Sequence, residues 1–467
     1  MPYFCLMFPS NTMSNTDTIC HSEPIEESQP LPASWTRTRL LDVSRHHSGN
    51  SKLIKGKLSS EPGNGLFPAF SATGQDVWRD GFESDGDAVI VSAVGARCGK
   101  CFLASGKWSA IANTHVVWPK PEAIDRKFLW YRINDERFWI RSGTAQPFVV
   151  VRKTFERPFP LPPLPEQRRI VAEIEKQFTR LEAGVAALRR VQANLHRYRA
   201  AVLKAACEGR LVPTEAQTRK TFETGAQLLQ RILKQRRDNW TGKGKYKEPA
   251  ATDTTGLPKL PEGWTWASID QLAYETMIGL DRGRAQQSYD AASGVPYIKM
   301  NNVTMEGRVL YDDMAYVPAS TEEAARFAVQ DGDILFNTRN SKELVGKVGF
   351  VRNPPDGAIY NNNLMRIRVP RGVAPAFLCL QMCSHEFRRR MELVKKATTN
   401  VAAVYAKDLL PLAIALPPLA EQERIVAEVE RRLSVVEELS ALVTANLQRA
   451  TRLRQSILQK AFTGELI

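Results

Sequence analysis

Four groups of residues have types and spacings that could do chemistry, and each stops short of a complete centre. Cys98-Gly-Lys-Cys101 has the gap of a zinc knuckle, but a closed tetrahedral site needs a second ligand pair. Cys379 and Cys383 stand four apart in a segment that reads as helix, which matches the first pair poorly. Gly95-Ala-Arg-Cys-Gly99-Lys100 is one residue short of a phosphate-cradling loop and lacks Ser or Thr after the lysine. His46-His47 has ligand chemistry, but an exposed loop pair is the plainer reading. No paired carboxylates and no Ser-His-Asp set stand out. The expectation is no catalytic residue and no metal in this chain.

The elements that would position any site are written twice. Leu161-Pro-Pro-Leu-Pro-Glu-Gln-Arg-Arg-Ile-Val-Ala-Glu173 returns as Leu416-Pro-Pro-Leu-Ala-Glu-Gln-Glu-Arg-Ile-Val-Ala-Glu428, 255 residues later. No gap is needed through Leu211 and Leu466, and roughly 20 of the 51 positions are identical. A period this long indicates duplication of a half-protein, not a solenoid unit. Each copy reads as one long helix. It starts after the prolines near Glu166 or Glu421 and stops at Gly209 or Gly464. About 40 residues at 1.5 Å each give roughly 60 Å per helix. Apolar residues recur three or four apart. The expected pairing positions are Ile174, Leu181, Leu188, Leu195 and Val202 in the first copy, and Val429, Val436, Val443, Leu453 and Ile457 in the second. Two readings follow: amphipathic helices on separate cores, or a mutual antiparallel coiled coil, which their length and matching seams favour.

Two irregular segments, residues 35–159 and 264–415, carry short β-like runs such as Ala88-Val-Ile-Val-Ser92 and Asp333-Ile-Leu-Phe336. Both open with Leu-Pro-x-x-Trp, ending at Trp35 and Trp264, and both hold an Asp-Gly-Asp turn, at residues 85–87 and 331–333. Otherwise they diverge, as two readers of different targets would. Residues 219–247 form a basic stretch with nine Lys or Arg against Glu223 and Asp238. It can be helical through Arg237, and reads either as a solvated linker or as a phosphate-tracking arm.

The expected fold is α+β: two mixed α/β domains separated by two long antiparallel coiled-coil helices, with a pseudo-twofold internal repeat. The expected segments are a disordered extension at 1–30, a first domain at 31–160 and a helical spacer at 161–215. A basic linker at 216–259, a second domain at 260–415 and a second spacer at 416–467 complete the chain. Met13 is the better start than Met1. A net charge of +14 suits a polyanion partner but does not by itself single out nucleic acid. The longest apolar run, from Leu409 to Ala420, is broken by three prolines, so no membrane span is expected. Seven scattered cysteines and no signal-peptide pattern suit a reducing cytoplasm.

The paired Leu-Pro-Pro-Leu-x-Glu-Gln-x-Arg-Ile-Val phrases, each opening a helix that ends in Gly-x-Leu, resemble the specificity subunit of type I restriction–modification systems. So does the order domain, helix, domain, helix, over about residues 31–467. Gly143-Thr144-Ala145-Gln146-Pro147 also resembles a phrase of this family, and Ala397-Thr-Thr-Asn-Val-Ala402 is the nearest counterpart in the second domain. The resemblance implies that each domain reads one half of a split double-stranded DNA site. It implies that the paired helices fix the unread gap. Two modification subunits would dock and methylate adenine N6 with S-adenosylmethionine. Restriction subunits would add ATP- and Mg-dependent translocation and cleavage. No cofactor would reside in this chain. Reading base edges needs Arg, Lys, Asn and Gln on positioned loops. Candidates are Arg97, Lys100 and Gln146 in the first domain. In the second they are Lys299, Asn301, Asn302, Asn337, Arg339, Asn340, Lys342 and Lys347. The alternative function is a coiled-coil scaffold whose lobes bind protein. An independent methyltransferase is disfavoured: Asn353-Pro354-Pro355-Asp356 resembles the Asn-Pro-Pro-aromatic loop of adenine methyltransferases, but Asp356 cannot stack on a flipped base.

Overall fold

The structure, a computed structural model, describes residues 31–242, 244–398 and 401–467. The extension at 1–30, with Met13, lies outside the described residues. The chain divides into two compact units: the residues up to Leu188 together with Ala445–Ile467, and Arg189–Thr444.

In the first unit, an antiparallel sheet orders its strands Ser44–Ser48, Thr114–Pro119, Ala88–Ser92 and Cys101–Ala104. The run Ala88-Val-Ile-Val-Ser92 is central and wholly buried, which is why it reads as continuous rather than alternating apolar sequence. A second sheet orders Gly74–Asp80, Leu66–Ser71, Lys107–Ala110 and Ser84–Asp85, with Leu66–Ser71 and Lys107–Ala110 parallel. The second unit repeats the plan. Its four strands run Glu275–Ile278, Leu364–Arg368, Ile334–Asn337 and Val348–Phe350. Its smaller sheet runs Ala315–Val317, Val295–Ile298 and Ile359–Tyr360, and the last two are parallel.

The repeated Glu-Gln of the helix-opening phrase has a physical explanation. Trp35 donates its indole N–H to Glu166 Oε1 at 2.9 Å, and Trp264 donates to Glu421 Oε1 at 2.9 Å. Gln167 Oε1 accepts from Asp125 N at 2.8 Å, at the cap of the helix Arg126–Ile133. Gln422 Oε1 accepts from Ala374 N at 2.8 Å, at the cap of the helix Pro375–Cys383. The phrase therefore clamps each long helix to the tryptophan that opens its domain and to the helix that covers its sheet. The terminal glycines close the arrangement. Gly209 has φ +66°, and a Cβ there would lie 2.6 Å from Pro261 and 3.0 Å from Trp264. Gly464 has φ +82°, and its Cβ would meet Pro32 at 2.4 Å. The first long helix, Leu164–Cys207, thus ends on the second domain's opening phrase. The second, Leu419–Thr463, ends on the first domain's.

Within each unit the two helices run antiparallel, and the same ion pair is made twice. Arg454 meets Glu182 at 3.2 Å in the first unit, and Arg199 meets Glu437 at 3.7 Å in the second. Both pairs are related by the 255-residue offset. Of the ten expected pairing positions, Ile174, Ile457, Val202, Val429, Val436 and Val443 are buried, and Leu181, Leu188 and Leu195 are half-buried. Leu453 is a correction: it is 49% exposed. The guanidinium of Arg454 takes the seam instead, stacking on Phe178 at 4.0 Å, so its neighbour turns outward.

A second correction concerns the basic stretch. Gly225–Asp238 is a helix capped by Thr224, and Leu228 and Ile232 are buried in the second unit's core. It lies against the strand Thr265–Ser268, away from the loop ends described next. Its first half is part of a domain and not a free linker.

Candidate nucleic-acid interface

Antiparallel pairing brings four strand termini to one end of each four-stranded sheet. In the first unit these are Ser48, Ser92, Cys101 and Thr114; in the second, Ile278, Asn337, Val348 and Leu364. The hydrogen bonds beneath the connecting loops match. Ser92 N donates to Lys100 O and Gly99 N to Ser92 O, both at 2.8 Å. Asn337 N donates to Lys347 O at 2.8 Å and Gly346 N to Asn337 O at 2.9 Å. Lys100 and Lys347 therefore hold equivalent places. Close backbone approach is also shared: a Cβ on Gly49 would meet Ile111 O at 2.3 Å, and one on Gly279 would meet Asn361 O at 2.3 Å.

A hairpin stands beside each loop. Arg141–Ser142 pairs with Phe148–Val149, and Gly95 N donates to Pro147 O at 2.7 Å. Gly143 has φ +88°, and a Cβ there would strike Gln146 O at 2.7 Å, so this tight turn requires glycine. Lys396–Ala397 pairs with Ala402–Ala403, which also pairs with Arg339–Asn340. The phrase from Ala397 to Ala402 thus spans the topological counterpart of the Gly143–Pro147 turn; Thr399 and Asn400 lie outside the described residues.

The structure brings all eleven candidate residues to these two loop ends, but not in equal roles. Arg97, Gln146, Asn301, Arg339 and Lys342 are exposed, and Lys100, Lys299 and Asn340 are half-buried. Lys299 Nζ lies 3.3 Å from Gln287 Oε1 and 5.4 Å from the Tyr289 ring centroid. Three candidates are taken up by the fold. Asn337 is fully buried; its amide donates to Arg339 O and Asn363 O, and its oxygen accepts from Asn340. Asn302 donates to Leu310 O and Asp313 O. Lys347 Nζ donates to Met300 O at 2.5 Å, and burial lowers its pKa. A buried polar group must be satisfied internally, so these three shape loops rather than face solvent.

The sequence reading missed Asn361, Asn362 and Asn363, which connect Ile359–Tyr360 to Leu364–Arg368 at this end. Three consecutive asparagines between two apolar runs were the available signal. It also placed His46 in a loop. His46 lies on the strand Ser44–Ser48, with Nδ1 2.9 Å from Nε2 of buried His115. Burial holds His115 down at about 4, with His46 adding to the shift.

Two other groups weighed for chemistry are structural. Cys98 and Cys101 are buried, and Cys101 donates to Ile133 O at 3.3 Å. Residues 353–356 form a surface turn, with Asn353 at φ +46°. Among the described residues no cluster of three or more His, Cys, Asp or Glu is placed to hold a metal. No helix among them is long and apolar enough to cross a membrane.

Comparison with known proteins gives the family. The sequence model of the family described as "Type I restriction modification DNA specificity domain" matches residues 50–187 and 275–446, which contain all eleven candidate residues. The specificity subunit of the type I restriction enzyme EcoKI of Escherichia coli is 26% identical over 66% of this chain and 57% of its own length. That of EcoDI, also from Escherichia coli, is 24% identical over 93% of this chain and 89% of its own. A chain from a solved structure described as showing complex assembly and conformational transition of the type I R-M system has the same fold. Its TM-score is 0.63 at 18% identity, covering 94% of this chain and 100% of that one. The chain belongs to the family of type I restriction–modification DNA specificity domains.

Proposed function

We propose that this chain is the DNA sequence-recognition subunit of a type I restriction–modification complex, with one half-site of a split target read by each domain. The observation that carries the reading is the duplicated loop end: one backbone frame bearing two different sets of exposed Arg, Lys, Asn and Gln side chains. Arg97 and Gln146 would read the first half-site. Lys299, Asn301, Arg339, Asn340 and Lys342 would read the second. Such contacts discriminate by roughly 1–3 kcal/mol per good bidentate pair. Residues 31–160 and 260–415 are the recognition domains, and the helical segments at 161–215 and 416–467 separate them as an antiparallel coiled coil and set the unread gap.

The partners in this reading are double-stranded DNA, two modification subunits and the restriction subunits. S-adenosylmethionine, ATP and Mg belong to those partners, and this chain is non-catalytic. Selection from a random duplex pool, using the chain reconstituted with modification subunits, tests this. The expected product is two short fixed motifs at constant spacing. Enrichment of no motif, with the lobes instead capturing a protein partner, would favour the scaffold reading. Labelled S-adenosylmethionine should not bind the chain alone; stoichiometric binding would contradict the division of labour.

A further inference from the structure

DNA reading leaves one group of nucleophilic side chains in the second unit unused. A crevice of about 400 Å³ is bounded by the two long helices, the loop at 305–308 and the helix Pro375–Cys383. Cys379 and Cys383 line it. They stand one turn apart on one face of that helix, and Cys383 is its last residue, followed by extended Ser384. Both sulfurs converge on one backbone point: a Cβ on Gly307 would lie 3.0 Å from Cys383 Sγ and 3.8 Å from Cys379 Sγ. Cys379 Sγ also faces Gly307 O at 3.7 Å. The loop is clamped above them, with Arg199 donating to Glu306 O at 3.0 Å and Arg388 to Met305 O at 2.6 Å.

The two thiols are electronically unlike. The Cys379 hydrogen bond, and then the nearby Arg388 and Arg199, draw the pKa of Cys383 down against its burial. Cys379 is pushed up by the same pairing and by burial. Cys207, a neighbouring thiol, is raised to about 12 by burial. A thiol whose pKa is drawn down, less buried than the second thiol beside it, is the arrangement of a redox pair. Residues four apart on a helix have Cα atoms roughly 6 Å apart, which a disulfide spans, but Cβ atoms roughly 5–6 Å apart against the roughly 3.5–4.5 Å it needs, so closure requires Cys383, the last helical residue, to leave the final turn.

We propose that Cys383 and Cys379 form a peroxide-sensitive dithiol, Cys383 attacking and Cys379 resolving, in the crevice beneath residues 305–308. The Cys383 thiolate attacks one oxygen of hydrogen peroxide; the O–O bond breaks, hydroxide leaves and a sulfenic acid forms. The Cys379 sulfur then attacks that sulfur. The S–O bond breaks, the departing hydroxyl takes the Cys379 proton as water, and the S–S bond forms. The first hydroxide takes up the proton that Cys383 had lost. Two thiols are oxidised by two electrons, and one peroxide becomes two waters.

The test is a hydrogen peroxide titration of the full chain, followed by alkylation, trypsin and mass spectrometry. Both cysteines fall in one tryptic peptide, residues 372–388. The expected result is that this peptide becomes two hydrogens lighter, reversibly with dithiothreitol, while Cys98, Cys101 and Cys207 remain alkylatable after denaturation. Cys379→Ser should stop at a sulfenic acid that dimedone captures. Cys383→Ser should need at least tenfold more peroxide for any change in the peptide. The proposal is overturned if the wild-type peptide stays reduced at doses that oxidise exposed methionines, or if Cys383→Ser reacts like wild type. A Cys207–Cys383 link would also overturn it. If either variant fails to fold, the wild-type map decides alone.

Discussion

The two domains share a frame and differ at its end. Both carry the Trp–Glu clamp, the Gln-capped helix, the close-approach glycine and the loop hydrogen bonds around Lys100 and Lys347. Beyond that frame they part. The loop from Ser92 to Lys100 is two residues shorter than the loop from Asn337 to Lys347. Buried Ser92 Oγ has no partner among the described residues where Asn337 makes three hydrogen bonds. The first domain sets the His46–His115 pair under its loops, whereas Met365 stands at the place of His115 in the second. The lesson is that backbone geometry is conserved by side chains buried in the clamps, which leaves the loop side chains free to differ.

The largest expected effect compares the clamps. Glu421 is fully buried and accepts from Trp264 Nε1 and Glu215 N, whereas half-buried Glu166 accepts from Trp35 and Ser34. Each orphaned buried donor costs about 1–3 kcal/mol. Glu421→Ala should therefore cost about 2–5 kcal/mol and Glu166→Ala about 1 kcal/mol, read by denaturant unfolding. Equal losses would mean that the clamps are not loaded differently.

Acid comes next and should act on the first unit. A free histidine titrates near pH 6.5, while His115 is held down at about 4 by burial and by His46. Below about pH 6.5 the unfolded chain takes a proton that the folded site refuses. Stability is thus lost as pH falls toward 4, by up to about 3 kcal/mol. Between pH 7 and 5, hydrogen-exchange protection, taken relative to the intrinsic amide rate at each pH, should fall in residues 44–48 and 114–119 before residues 275–278 and 364–368. His115→Met, which copies the second domain, should remove the difference; protection falling equally in both sheets would reject the assignment.

The smallest effect concerns the repeated ion pairs. Both are partly solvated, so Arg199→Ala or Arg454→Ala should cost at most about 1 kcal/mol from the pair. Each variant also loses a second contact, Arg454 its cover over Phe178 and Arg199 its hydrogen bond to Glu306 O. A double-mutant cycle with Glu437 or Glu182 isolates the term.

Periodicity and repetition made the helices, the duplicated frame and the loop-bearing segments legible. Helical spacing depends on local sequence, and the 255-residue identity exposes residues that repeat because they do the same job: Glu166 and Glu421, Gln167 and Gln422, Arg199 and Arg454. The direction in which a polar side chain points was not legible. Asn337 and Arg339 look alike in sequence, yet one fastens a loop from inside and the other faces solvent, a choice made by strand pairing across distant residues. Leu453 shows the same limit, because an arginine that stacks on Phe178 displaces a leucine from the seam. That the basic stretch is helical through Arg237 was legible, but its attachment was not: two buried residues, Leu228 and Ile232, fix the helix Gly225–Asp238 to a core that its many cations obscure.

The central claim is that each loop end reads its own half-site. The most direct measurement grafts the second domain's loop end, residues 338–346 and 396–403, in place of residues 93–99 and 141–149. Methylated adenines are then mapped in cells that supply the modification subunits. Matching hydrogen bonds beneath the loops make the exchange compatible with the frame. The predicted result is a methylated site whose first half changes to resemble the second, while the second half stays as it was. A change in both halves, or an unchanged site with full activity, would contradict the account.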